Sequence, residues 1–179
     1  STSLAATMLA TLVDLIDAEP HRRAQLEPLR SIAYGAAPMP TPLLRRADEL
    51  LGVDFAQGYG MTELSGNAVF LNADTHRRGL AGEVHLLEAA GQPAPGVELR
   101  LVDDDGSEVS EGSVGEIVIR AAQVMSGYLD DRAATDAALR DGWLHTGDVG
   151  RMVDGWLYVV DRKKDIIITG GENVSSLEV

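Results

Sequence analysis

The hydrophobic period of this 179-residue chain changes once, near Gly79, and that change limits the folds open to it. Before it, apolar residues at helical spacing alternate with short apolar runs. Leu4, Met8, Leu12, Leu15 and Ile16 mark one face of a helix that should end near Glu19-Pro20. Leu29 to Tyr34 reads as a short strand running into the turn Gly35-Ala36-Ala37-Pro38. Thr41 before Pro42 reads as an N-cap with proline in the first helical position. Leu43, Leu44, Ala47, Leu50 and Leu51 then form a buried stripe, and Gly52 is placed to end the helix. Val53 to Ala56 is the next strand. Helices and strands joined by links this short favour a layered α/β segment with parallel strands.

After Gly79 the period drops to two. Val97 to Val102 alternates and runs into the acidic turn Asp103-Asp104-Asp105-Gly106, which is ordinary turn chemistry. Gly115 to Arg120 and Trp156 to Val160 are further strands, with a short helix expected between them over Asp131 to Leu139. This half is β-rich, a small distorted barrel or a curved sheet. A polar run, Asp161 to Asp165, precedes a strand from Ile166 to Thr169 and a tight turn at Gly170-Gly171. The expected organisation is an α/β segment over 1–78, a β-rich subdomain over 79–163, and the start of another domain over 164–179.

Composition removes several function classes. Hydrophobic residues make up 45% of the chain, enough for a buried core, yet no apolar run approaches the roughly 20 residues of a membrane span. The apolar opening lacks a basic flank, so it does not read as a signal peptide. Without cysteine there is no disulfide or thiolate metal site, as suits a reducing cytoplasm. A net charge of −13 argues against a general nucleic-acid surface, though a small nucleotide site can still gather local donors.

Three segments offer chemistry. In Gln57-Gly58-Tyr59-Gly60-Met61-Thr62-Glu63, two glycines let backbone approach a ligand. Tyr59 offers a flat face, Thr62 a donor for a phosphate oxygen and Glu63 a hard oxygen ligand for Mg²⁺. Taken alone, this is also an ordinary glycine-rich turn. In Trp143-Leu144-His145-Thr146-Gly147-Asp148, the carboxylate of Asp148 could accept both hydroxyls of a ribose, or cap its own turn. His145 has no evident partner for general-base work and reads as structural. In Asp161 to Asn173, Arg162 has a permanently charged fork suited to ribose or phosphate oxygens, although such charge runs are commonly solvated linkers.

In order and spacing, these segments resemble the adenylate-forming superfamily of acyl-CoA synthetases, aryl-CoA ligases, adenylation domains and luciferases. Tyr34-Gly35-Ala36-Ala37-Pro38-Met39 resembles its adenine-side loop, and Met125-Ser126-Gly127-Tyr128 the lead into the later motif. The ending Gly170 to Val179 is most like a fatty-acyl or related CoA ligase.

The resemblance implies a two-step ligase using ATP, Mg²⁺ and CoA on a carboxylic acid substrate. Gly35, Ala36 and Ala37 would border the adenine, Tyr59 would stack on it, and Gln57, Gly58 and Gly60 would line its surroundings. Thr62 would contact the α-phosphate, Glu63 the metal, and Asp148 with Arg162 the ribose. Lys164 would be the hinge of a rotating C-terminal domain, and Gly170 and Gly171 would face the pantetheine tunnel. The family's phosphate loop is expected before residue 1 and its catalytic lysine beyond Val179. On that basis residues 1–179 alone should behave as an inactive nucleotide-binding fragment. Loading of a carrier protein, or luciferase-like chemistry after the same adenylation, are the alternatives.

Overall fold

In the computed structural model, which describes residues 1–35, 39–165, 167–169 and 172–174, the chain divides into two units. The first is Ser1–Gly60 with Val69–Gly91, and the second is Met61–Ala68 with Gln92–Val179.

The first unit contains β1 (Thr2–Ser3), α1 (Ala6–Ala18), β2 (Ser31–Gly35), α2 (Thr41–Leu51) and β3 (Asp54–Met61). The chain continues into β4 (Gly66–Leu71) and α3 (Ala73–Ala81). β1, β2 and β3 are parallel neighbours, with Thr2 opposite Ile32 and Ser31 to Gly35 opposite Asp54 to Gly58. Parallel strands require crossovers, and here the crossover helices cover one sheet face. Leu9, Val13 and Ile16 of α1 and Leu44, Ala47 and Leu51 of α2 bury against Ile32, Tyr34 and Phe55 of the strands.

Gly52 ends α2 as expected. It adopts φ 59°, ψ 42°, and its N–H donates to Asp48 O at 2.8 Å. The expected Thr41 cap is displaced by one residue. The ladder begins at Pro40, whose carbonyl accepts Leu44 N–H at 3.0 Å, so Thr41 is already helical and caps nothing. The helix α3 has no apolar stripe to announce it: its buried positions are Thr75, His76 and Gly79. Asn72 caps it, accepting Thr75 N–H at 2.9 Å. His76 Nδ1 lies 2.9 Å from Asn72 O and therefore donates there, leaving Nε2 to accept from Tyr34 OH at 2.8 Å. Burial pushes the Tyr34 phenol up and His76 down, so both stay neutral near pH 7.

Besides Met61–Ala68, the second unit holds β5 (Gln92–Pro93), β6 (Glu98–Val102), β7 (Val114–Arg120), α4 (Arg132–Ala138), β8 (Leu139–Arg140), β9 (Trp143–Val153) and β10 (Trp156–Arg162). Their antiparallel order is β10-β9-β7-β6, with β8 on β9. Among the described residues β10 and β6 do not meet, so the β-rich half is an open sheet rather than a closed barrel. The acidic turn behaves as turn chemistry demands: Asp103 Oδ1 accepts from Asp105 N at 3.0 Å and Ser107 N at 2.9 Å. Asp131 caps α4 through Ala134 N–H at 2.8 Å. The last hairpin pairs β11 (Ile167–Thr169) with β12 (Glu172–Val174).

Leu44 is fully buried in the first core, whereas Arg46 on the same helix makes only exposed ion pairs with Asp17 and Glu49. Leu44→Ala should lower unfolding free energy by about 2–5 kcal/mol in urea titration, while Arg46→Ala should change it little.

Candidate functional site

The first cluster grows out of a close strand contact. Gly35 at the end of β2 pairs with Gly58 in β3. A Cβ on Gly35 would collide with the Gly58 carbonyl, so only glycine fits this approach. The two segments marked for the adenine are therefore neighbouring strand ends. Gln57 to Met61 is strand rather than the loop expected after a strand. Strand alternation puts Gln57 and Tyr59 on the same face as Phe55, with both side chains half-buried. Ala36, Ala37, Gly170 and Gly171 lie outside the described residues.

The glycine-rich motif straddles the two units, with Gly60 ending the first stretch and Met61 opening the next. Thr62 to Leu64 forms a single 3-10 turn closed by Ser65 N–H to Thr62 O at 2.9 Å. That turn leaves Thr62 exposed and presents Glu63 to Tyr128, whose hydroxyl donates to Glu63 Oε1 at 2.8 Å. Met125 N–H also donates to Glu63 O at 2.8 Å, and Thr135 Oγ1 on α4 accepts the Tyr128 N–H at 2.9 Å. The Glu63 carboxylate raises the Tyr128 phenol above its ordinary range, keeping it a donor. Among the described residues no three His, Asp or Glu side chains converge to hold a metal. A single placed carboxylate fits a Mg²⁺ that takes its other ligands from phosphate and water.

The third cluster centres on a bulge between β7 and β9. Val118 pairs with His145 and Glu116 with Val149, so Thr146, Gly147 and Asp148 together oppose Ile117. Gly147 takes φ 70° to permit this. Thr146 Oγ1 donates to Ile117 O at 2.7 Å and accepts Asp148 N–H at 3.1 Å. Across β10, Asp148 pairs with Arg162, whose Nε lies 3.5 Å from Asp148 Oδ1. Asp148 is nearly buried and Arg162 largely exposed. The two residues marked for a ribose are thus brought together on adjacent strands.

Beneath the bulge sits Glu116, 7% exposed. Its Oε1 accepts Gly147 N–H at 3.3 Å, and Lys163 Nζ donates to its Oε2 at 3.1 Å. His145 Nδ1 is 3.4 Å from Oε2 without a well-formed hydrogen bond, and Arg140 is 3.9 Å away. Burial pushes the Glu116 carboxyl up, but Lys163 and His145 more than offset it and hold it below the usual range. Lys163 also pairs with Asp104 at 2.8 Å, and its N–H donates to Gly147 O at 2.8 Å. Lys164 follows in an exposed turn where Asp165 N–H donates to Arg162 O at 2.9 Å.

Sequence reasoning did not find Tyr128, Glu116 or Lys163 as working residues. For Glu116 a signal existed, a carboxylate inside an otherwise apolar strand. The partnerships of Tyr128 with Glu63 and of Lys163 with Glu116 span 65 and 47 positions, which no local spacing encodes.

Comparison with known proteins shows what the chain is similar to. A feruloyl-CoA synthase from Amycolatopsis sp is 40% identical over 171 residues, covering 94% of this chain and 33% of that protein. A fatty acid–[acyl-carrier-protein] ligase from Streptomyces coeruleorubidus is 39% identical over 152 residues, 84% of this chain and 28% of that one. The O-succinylbenzoate coenzyme A synthetase of Bacillus subtilis, solved with ATP and magnesium ion, superposes with TM-score 0.83 at 35% identity, covering all of this chain and 35% of that one. The chain thus spans about a third of the length of the relatives it matches. With residues 1–129 also matching the family model described as AMP-binding enzyme, the chain belongs to that family.

Proposed function

We propose that the enzyme bearing this chain is an AMP-forming acid–thiol ligase that activates a fatty or related carboxylic acid with ATP and passes the acyl group to CoA. The observation that supports this best is the Asp148–Arg162 pair. A nearly buried carboxylate fixed beside a forked cation suits the two vicinal hydroxyls of a ribose. In the first half-reaction a carboxylate oxygen attacks the α-phosphorus and pyrophosphate leaves. In the second, the CoA sulfur attacks the acyl carbon and AMP leaves.

This chain's residues mainly orient. Tyr59 stacks on the adenine beside Gln57, Gly58, Gly60 and the Gly35-Ala36-Ala37 loop. Asp148 and Arg162 hold the ribose, and Thr62 donates to the α-phosphate. Glu63, steadied by Tyr128, would offer an oxygen to Mg²⁺, and that ion would supply shielding of phosphate charge. The roles expected of Gly170 and Gly171 lie outside the described residues. A carrier-protein thiol as acceptor is the second reading, motivated by the Streptomyces relative. Supplying acyl-AMP with either CoA or a phosphopantetheinylated carrier protein, and following AMP release, separates the two.

Asp148→Ala in the full-length enzyme should weaken ATP binding by roughly 10- to 150-fold, the equivalent of about 1.5–3 kcal/mol for charge-assisted hydrogen bonds. Calorimetry reads this directly, and unchanged affinity would remove Asp148 from the site.

Lys164 is the first residue past the stitch between Lys163 and Gly147, which fits a pivot. Proline holds φ near −65°, so Lys164→Pro should freeze one arrangement. Pyrophosphate release in a first turnover should persist while acyl transfer from acyl-AMP to CoA is largely lost. Equal effects on both steps, with the circular dichroism spectrum intact, would end the hinge assignment.

A further inference from the structure

We propose that Glu116 is a positioning residue for nucleotide binding: it props the Thr146–Asp148 bulge from beneath and ties it to the strand end that bears Arg162. The inference rests on the proposed ribose role of Asp148 and Arg162, and extends it to a residue that touches neither. A bulge removes residues from the ladder, and an unpaired backbone N–H in the interior is costly. Glu116 Oε1 accepts that N–H at Gly147, one residue before Asp148. Its other oxygen takes Lys163 Nζ, one residue after Arg162. Lys163 completes the loop by donating its own N–H to Gly147 O. One carboxylate therefore fixes both halves of the pair through their chain neighbours.

A buried carboxylate is stable only when paired, and the groups facing Glu116 supply that pairing. Lys163, His145 and Arg140 all approach it, and Asp104 shares Lys163 from the solvent side.

The test is discrimination between ATP and 2′,3′-dideoxy-ATP by the full-length enzyme, since loss of the hydroxyls removes what the pair holds. Glu116→Gln keeps shape but removes the charge that binds Lys163. It should reduce the preference for ATP about five-fold or more, through weaker ATP binding, with dideoxy-ATP affinity unchanged. Lys163→Met should act in the same direction, and the double variant should be no worse than the single ones, because both break one linkage. Equal weakening toward both nucleotides, or an unchanged preference, would overturn the proposal. Asp148→Ala run in parallel keeps the two ideas apart. If it abolishes the preference while Glu116→Gln does not, the ribose reading stands and the positioning role is wrong. If Asp148→Ala leaves the preference intact, both fall.

Discussion

A carboxylate sealed inside a sheet has to be paired, and in the second unit that requirement organises everything near the candidate ribose pair. Desolvating an ion costs several kcal/mol unless hydrogen bonds and an opposite charge replace water. Glu116 meets this with a backbone N–H from the bulge in β9 and a lysine just past the end of β10. In β7 the run from Gly115 to Ile119 is buried on both pleat directions, so Glu116 has no route to water within its own strand.

The first unit solves a different problem with apolar surface. Parallel strands cannot leave both faces wet, and α1 and α2 supply one covering layer. The polar pair buried in this region, Tyr34 with His76, is closed by Asn72, so each donor has an acceptor. Burial keeps the histidine neutral, and its two hydrogen bonds fix α3 against β2. The glycine pair Gly35 and Gly58 lies just beyond, where the absence of side chains lets the strand ends approach.

Local signals were legible wherever one residue type answers one backbone need. Gly52 had to end α2 because it alone takes the left-handed conformation cheaply, and the acidic turn at Asp103 was readable for a similar reason. The fold class followed from the period change, since helical and strand spacing leave different apolar patterns. Reading failed where tertiary context chose. Thr41 had the right chemistry for a cap, yet the ladder began at Pro40. The segment from Gln57 to Met61 could have been a glycine-rich turn but continues β3, with Gln57 and Gly58 paired to β2. The helix α3 was invisible because it buries a threonine, a histidine and a glycine instead of an aliphatic stripe. At the site, the residues that stand to touch ligand were marked by motif, whereas those that hold them depend on distant partners.

The charge arithmetic clarifies what this part of the enzyme contributes. The sequence bears 28 acidic and 15 basic residues, and the cations nearest the later motif are already paired: Arg162 with Asp148, Lys163 with Glu116 and Asp104. Such pairs present little net positive potential to a triphosphate. They present fixed geometry instead, a carboxylate at a set angle to a guanidinium on adjacent strands. Adenylation joins an anion to an anion, so its transition state also demands strong cationic or backbone-donor stabilisation. On the proposed reading, the Asp148–Arg162 pair would therefore serve orientation of a ribose more than neutralisation of phosphate. Orientation is itself a large part of such catalysis, because a nucleotide held rigidly brings its α-phosphorus to the acid without further entropy loss. If Asp148 and Arg162 hold the ribose as proposed, a looser turn at Gly147 would bind the same ribose but let the phosphate wander, and the paired carboxylate of Glu116 would act on chemistry it never touches.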